Sequence, residues 1–326
     1  MKNFLLGYTV SSIFLAVVTV GCNSDVFIDD FLPEAPSVVV ERSETVSKIR
    51  FKAANWDIQS IMGSAQSDMG LMTLDGDVYD AEGNLVTRNQ PLYGDGLLKM
   101  VYDDGLVDFR IERNDYRGLD VLFGENLRDR PYDVQIYVGN EYESGTVEVT
   151  FNPSEKYRVD SVVYRWDEFD FWNNSAEMAD AFTIDNTASS EPTSVIVSPF
   201  QHAKRTVRFW PDDFNDRREE IFGVPLPEIG IPDVENALPV SKGSSARFAR
   251  GDQQLPLPFP DDEKAEVTVK PHERRHIEVW LIYERFHVPY TVYASSPATG
   301  RQRTFSGTLH SSVPYKYSIL KSQPDQ

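Results

Sequence analysis

Three observations predict an all-β fold for this chain. From Ser37 onward apolar and polar residues alternate, Gly, Asn, Asp and Pro punctuate the alternating runs, and no long stretch has helical period. The runs TVSKIRFKA (45–53), LVDFRIE (106–112), PYDVQIYVG (131–139) and GTVEVTF (145–151) each read as a strand with one buried face. The turns EGN (82–84) and GNE (139–141) supply residues that tolerate positive φ where hairpins need them. By this count residues 37–152 form a β-sandwich of about seven or eight short strands.

Upstream, Lys2 precedes an apolar run from Phe4 to Val20 that stops at Gly21-Cys22, so residues 1–21 read as a signal peptide. The ending TVGC resembles a bacterial lipobox, with Thr19 where that motif usually has Leu. The resemblance implies cleavage before Cys22, lipidation of its thiol and a membrane as partner. Cys22 is the single cysteine of 326 residues, so the remaining chain has no disulfide to use and is expected to be stable through core burial alone. Residues 22–36, with Asp25, Asp29, Asp30, Glu34, Pro33 and Pro36, read as an extended acidic tether. That segment resembles the one following the lipidated cysteine in surface lipoproteins of Bacteroidota. It implies an outer-membrane anchor facing the cell exterior, with the periplasmic side as the alternative.

The formal charge is −19, from 51 acidic and 32 basic side chains, a balance that repels nucleic acid and anionic headgroups. No nucleic-acid partner is expected. The chain also lacks a Gly-x-Ser-x-Gly elbow, a His-Glu-x-x-His pair and a phosphate-binding glycine loop. No enzyme, cofactor or metal is therefore expected, although the carboxylate pair of a glycoside-active enzyme carries no fixed sequence spacing.

A boundary is expected at Asn152-Pro153, because proline after a strand breaks the ladder before YRVDSVVYRW (157–166) begins. Residues 153–326 then form a second, elongated β domain. Within it, prolines 225, 227, 232, 239, 256, 258 and 260 are expected to keep the insertion 212–264 free of regular strand or helix.

Two family resemblances bear on fold. PSVVVERSETVSKIRFKAANWDI (36–58), with Trp56, and the closing GTVEVTF resemble the Bacteroidetes-associated carbohydrate-binding domain, which implies an immunoglobulin-like sandwich. Residues 182–210, 267–294 (with Val288-Pro289-Tyr290) and 304–312 resemble aerolysin-like proteins of the epsilon-toxin and mosquitocidal-toxin family. That implies a shared β fold and a membrane-active alternative. Pore formation would need about 20 residues of strict amphipathic alternation, and the insertion offers prolines instead.

Among candidate sites, YRWDEFDFWNN (164–174) is the most suggestive. Sugars stack on exposed aromatic faces while carboxylates and amides take their hydroxyls, and the run interleaves Trp166, Phe169, Phe171 and Trp172 with Asp167 and Asp170. Alternation puts Tyr164 and Trp166 on the core face and Phe169 to Trp172 in the following turn. Aromatic packing in a core is the competing reading. His272, His276 and His287 lie near one another on predicted strands, beside Arg274 and Arg275, and read more readily as exposed strand histidines than as zinc ligands. Asp75, Asp77 and Asp80 read as the solvated acids of a hairpin rather than a calcium loop. The expected function is non-catalytic recognition of a glycan or surface protein, with membrane activity and glycoside chemistry as alternatives.

Overall fold

The structure is a computed structural model and describes residues 37–41, 44–64 and 70–323. Residues 1–21 and 22–36, expected as a signal peptide and an acidic tether, and Cys22 among them, lie outside the described residues. The chain is nearly all β, and its described residues divide into two compact units, those up to 126 with 130–153, and 127–129 with those from 154 on.

The first unit holds β1 (Ser37–Val40), β2 (Thr45–Arg50), β3 (Asp57–Ser64), β4 (Leu71–Thr73), β5 (Asp75–Asp80), β6 (Leu85–Pro91), β7 (Leu98–Asp103), β8 (Val107–Asp115), β9 (Gly118–Asn126), β10 (Tyr132–Gly139) and β11 (Ser144–Phe151). They form two sheets, ordered β1-β11-β10-β3-β4 and β2-β9-β8-β7-β5-β6. The sheets meet through Phe109 and Phe123 of one and Phe151 of the other, with ring centroids 5.1 and 4.7 Å apart. Eleven strands replace the expected seven or eight, because residues 59–105 carry a β-structure of their own. The β5–β6 hairpin uses the acids near the suspected calcium loop. Asp80 Oδ1 accepts the Asn84 backbone N–H at 2.7 Å, and Asp77 Oδ1 accepts that of Asn89 at 3.0 Å. Trp56 is a core residue, stacked on Phe51 at 3.9 Å and capped by the buried Arg113 guanidinium at 4.0 Å.

The second unit holds β12 (Arg158–Tyr164), a short 3₁₀ turn (Trp166–Glu168), β13 (Asp170–Asp185), β14 (Thr193–Val197), β15 (Arg205–Pro211), α1 (Arg218–Phe222), β16 (Glu228–Gly230), β17 (Asp233–Glu235), β18 (Leu238–Val240), β19 (Ser245–Arg247), β20 (Gln253–Leu255), β21 (Ala265–Val269), β22 (Arg274–Ser295) and β23 (Gln302–Ser322). The main sheet runs β12-β22-β23-β15-β20, and β13 continues along the β22 edge that β12 begins. At ~3.3 Å per residue the 22-residue β22 is about 70 Å long.

Such a strand is too long for one core, and its burial pattern shows how two are served. Ile277, Val279, Leu281 and Tyr283 are buried on one face; from Phe286 on, the buried set is Phe286, Val288, Tyr290, Val292 and Ala294 on the other. Ile277 packs against Ile184, Val197, Val267 and Val269, where β14 and β21 lie over the sheet, while Leu281 and Tyr283 cluster with Phe200. The second set is covered by the insertion. Phe248 meets Phe209 at 5.4 Å and Tyr290 at 5.7 Å, and Phe222 meets Phe305 at 5.0 Å.

The insertion corrects the expectation drawn from its prolines. Residues 212–264 contain α1 and five three-residue strands, β16 to β20. Pro239 sits inside β18, tolerated because β17–β18 is an isolated hairpin with free edges. Arg218 is buried, bonded to Asp216, and lies 4.0 Å over the Phe248 ring. Among the described residues the insertion holds no amphipathic hairpin of membrane-spanning length.

Candidate functional site

Where the buried face of β22 changes sides, the opposite face is left open, and a cleft of about 570 Å³ forms there. Strand register builds its floor in two rows. One row runs Trp172, Arg285, Ser312, Thr206 across β13, β22, β23 and β15. The next, two residues along each strand and so on the same face, runs Asp170, His287, His310, Arg208. One step further, Trp210 lies across from Thr308. Trp172 therefore edges the polar floor on β13, and Trp210 stands beyond its far end on β15, about 14 Å across the strands at ~4.8 Å per strand and about 13 Å along them at ~3.3 Å per residue.

The floor is rich in donors. The His287 and His310 rings are 4.0 Å apart, and Trp172 meets His287 edge-on at 4.7 Å. Burial, then His287, then Arg208 push the His310 imidazole down to about 4. Burial also lowers His287, against the raising effect of Asp170 directly across from it. Both rings are thus neutral at pH 7, each with one N–H to give. Arg285 Nε donates to Ser312 Oγ at 3.2 Å, and its terminal nitrogen pairs with Glu177. Arg208 stacks over Trp210 at 4.8 Å and reaches Asp252 at 3.6 Å. The reaching atom is Nε, which is shut off from solvent and too far from Asp252 for a hydrogen bond. Both cleft carboxylates, Glu177 and Asp252, are thus turned to arginines.

The sequence-derived site residues are divided by the structure. Trp172 lines the cleft, and Asp170 extends its second row. Trp166 and Asp167 occupy the 3₁₀ turn, Trp166 being 49% exposed rather than core-facing. Phe169 and Phe171 lie on the other face: Phe169 packs on Phe286 at 5.4 Å, and Phe171 pairs directly with Phe286. The expectation that Phe169 to Trp172 form the turn fails because β13 already begins at Asp170, and strand alternation then splits the run between faces. Tyr164 does point inward, donating to the Gly230 carbonyl at 2.8 Å, and burial raises its hydroxyl.

The three flagged histidines do not cluster. His272 is in a left-handed turn before β22, with Nδ1 3.1 Å from the Thr187 carbonyl oxygen. His276 and His287 are eleven residues apart on β22, roughly 36 Å at ~3.3 Å per residue. Among the described residues no group of three or more His, Cys, Asp or Glu could hold a metal ion. The sequence reading missed Arg208, Trp210, Arg285 and His310. Their signal was present as polar or aromatic pairs two apart, in TVRFW, ERFHV and TLHSS, but only register brings them together.

No family model and no curated protein matches this chain. Among solved structures, a lamprey immune protein is 11% identical, with a TM-score of 0.38 over 85% of this chain and 98% of that one. Parasporin-2 of Bacillus thuringiensis, a toxin that recognizes cancer cells, is 12% identical, with a TM-score of 0.27 over 51% and 73%. An aerolysin-like protein of Bombina maxima is 11% identical, with a TM-score of 0.22 over 52% and 99%.

Proposed function

We propose that this protein is a non-catalytic binding protein that takes a glycan in the cleft between Trp172 and Trp210, held at a cell surface by lipid on Cys22. One observation carries the reading: Trp172 lines an open floor of imidazoles, hydroxyls and guanidinium groups, and Trp210 stands just beyond it, 6.5 Å from His310. Sugar rings present apolar C–H faces that stack on indole, and equatorial hydroxyls that a donor-rich floor satisfies. Strands hold these groups in fixed register, so little ordering accompanies binding. The anchor is supported by the TVGC sequence and predicts that Cys22→Ala moves the protein from the membrane to the soluble fraction.

The test of binding is a glycan array probed with the detergent-solubilised chain. Retention on a defined glycan set, weakened by Trp172→Ala and by Trp210→Ala with unchanged melting, is the expected result. Absence of retention on every glycan would sink the reading. The membrane-active alternative instead predicts release of liposome contents on oligomerisation. The packed, proline-pinned insertion favours binding over that alternative.

A further inference from the structure

We infer that the cleft's ligand is an acidic glycan whose sulfate, phosphate or carboxylate group sits against Lys204 and Arg208, above the His287–His310 pair. This deepens the glycan reading and rests on it for the stacking part alone.

The charge distribution is the first ground. The chain carries 51 acidic against 32 basic side chains, whereas the cleft with its edge is balanced: Lys204, Arg208 and Arg285 against Glu177, Asp252 and Asp170. In a strongly acidic molecule such a balanced, partly enclosed floor repels anions far less than the rest of the surface does. The second ground is which cations are already satisfied. Arg285 is spent on Glu177 and Ser312. Arg208 has one ionic contact, from its solvent-shielded Nε to Asp252 at 3.6 Å, beyond hydrogen-bond distance, and the Asp252 side chain is 69% exposed. The rest of the Arg208 guanidinium is about a third exposed, and its terminal nitrogens are where an incoming anionic oxygen gains charge-assisted hydrogen bonds. Lys204 is exposed at the rim and has no ion pair among the described residues.

The third ground is the imidazole pair. Two rings at 4.0 Å disfavour each other's protonation, and an anion bound over them removes that penalty by offering a counter-charge. Around the pair, β13 contributes Asp170 and Glu177, β22 Arg285, β15 Arg208, the segment before β15 His202 and Lys204, and the segment before β20 Asp252. Because the free rings are depressed and the bound rings are raised, anion binding takes up protons. Affinity then rises as pH falls from neutrality toward about 5.

The experiment measures binding of a dextran sulfate oligosaccharide and of plain dextran of equal length to the detergent-solubilised full chain at pH 7.5 and 5.0. Expected are binding of the sulfated probe over the neutral one, tighter binding at pH 5.0, and a loss of roughly fivefold to tenfold in Arg208→Gln and in Lys204→Gln. The pH dependence should flatten in the His287→Gln/His310→Gln double variant, with melting temperature recorded for every variant. Equal affinity for both probes, lost in Trp172→Ala but kept in Arg208→Gln, overturns the acid inference and leaves the glycan reading standing. Sulfated-probe binding that ignores Trp172→Ala and Trp210→Ala but is lost in Arg208→Gln keeps the acid site and overturns sugar stacking. No binding of the sulfated probe at either pH overturns the inference.

Discussion

Between Arg285 and Thr291 the two faces of one sheet are built on the same strands and meet opposite fates. On one face Phe286, Val288 and Tyr290 of β22, Leu309 of β23 and Phe209 of β15 are buried under the insertion. On the other, Arg285, His287, His310 and Arg208 floor an open cleft. The closed face is stabilised by apolar area, at about 1.5–3 kcal/mol for each large side chain removed from water. The open face gives up that stabilisation and holds polar groups in register. The difference teaches that cover alone separates the two faces: the insertion caps only one side, while β14 and β21 cover the other side only further along.

The largest effect should come from uncapping the closed face. Phe248 is fully buried and touches Phe209, Tyr290 and Phe305. Phe248→Ala should destabilise the second unit by about 3–5 kcal/mol. A denaturation curve shifted by less than about 1 kcal/mol would show that the insertion is not a core element. Gly307 makes the same point from the backbone. A Cβ there would stand 2.1 Å from the Trp210 carbonyl oxygen and 2.6 Å from the Tyr290 hydroxyl, so Gly307→Ala must push the capped layer apart.

How far the sequence reaches follows from the same contrast. Alternation made the strands legible one at a time: PYDVQIYVG and GTVEVTF fall within a residue of β10 and β11, and LVDFRIE covers β8 except its last three residues. The extra strands of 59–105 and those of the insertion were hidden because three-residue strands such as β16 and β19 carry no measurable period, and prolines beside them masked the rest. Of the site, Trp172 and Asp170 were legible as part of a conspicuous aromatic run. Arg208 and His310 lie 102 residues apart in sequence and become neighbours only through β15–β23 register, which a single sequence does not encode locally.

The next effect is a pH dependence of stability that belongs to the open face. His310 is held at about 4 in the folded chain against about 6.5 unfolded, so below 6.5 the unfolded chain binds more protons. Stability is therefore fully present above 6.5 and is lost as pH falls toward 4. Because the ring is only half-buried, solvent screening reduces the contribution to about 1–2 kcal/mol. Unfolding free energies at pH 7.5 and 4.5 should differ less in His310→Gln than in wild type. An unchanged difference would mean that the His287–His310 pair does not titrate as its packing implies.

A smaller effect, read in binding rather than stability, is expected at Trp172. Loss of one stacking face of about 0.5–1.5 kcal/mol predicts up to a tenfold weaker retention on the preferred glycan in Trp172→Ala. Its indole N–H donates to Ser175 Oγ at 3.2 Å, a bond at the strand edge whose loss should leave the melting temperature within a few degrees.

The smallest effect is the sharpest test of which face matters. Trp166 and Trp172 are six residues apart in one aromatic run, and by composition either could be the sugar platform. Trp166 lies in the 3₁₀ turn beside Tyr164, at 5.4 Å, and Phe169, at 6.5 Å, away from the cleft residues. Trp172 faces His287. If the open face of the sheet is the binding surface, Trp166→Ala should leave glycan retention within about twofold while Trp172→Ala does not. The reverse ranking on the same glycan would move the site to the turn, and the polar floor with its paired imidazoles would then need another explanation.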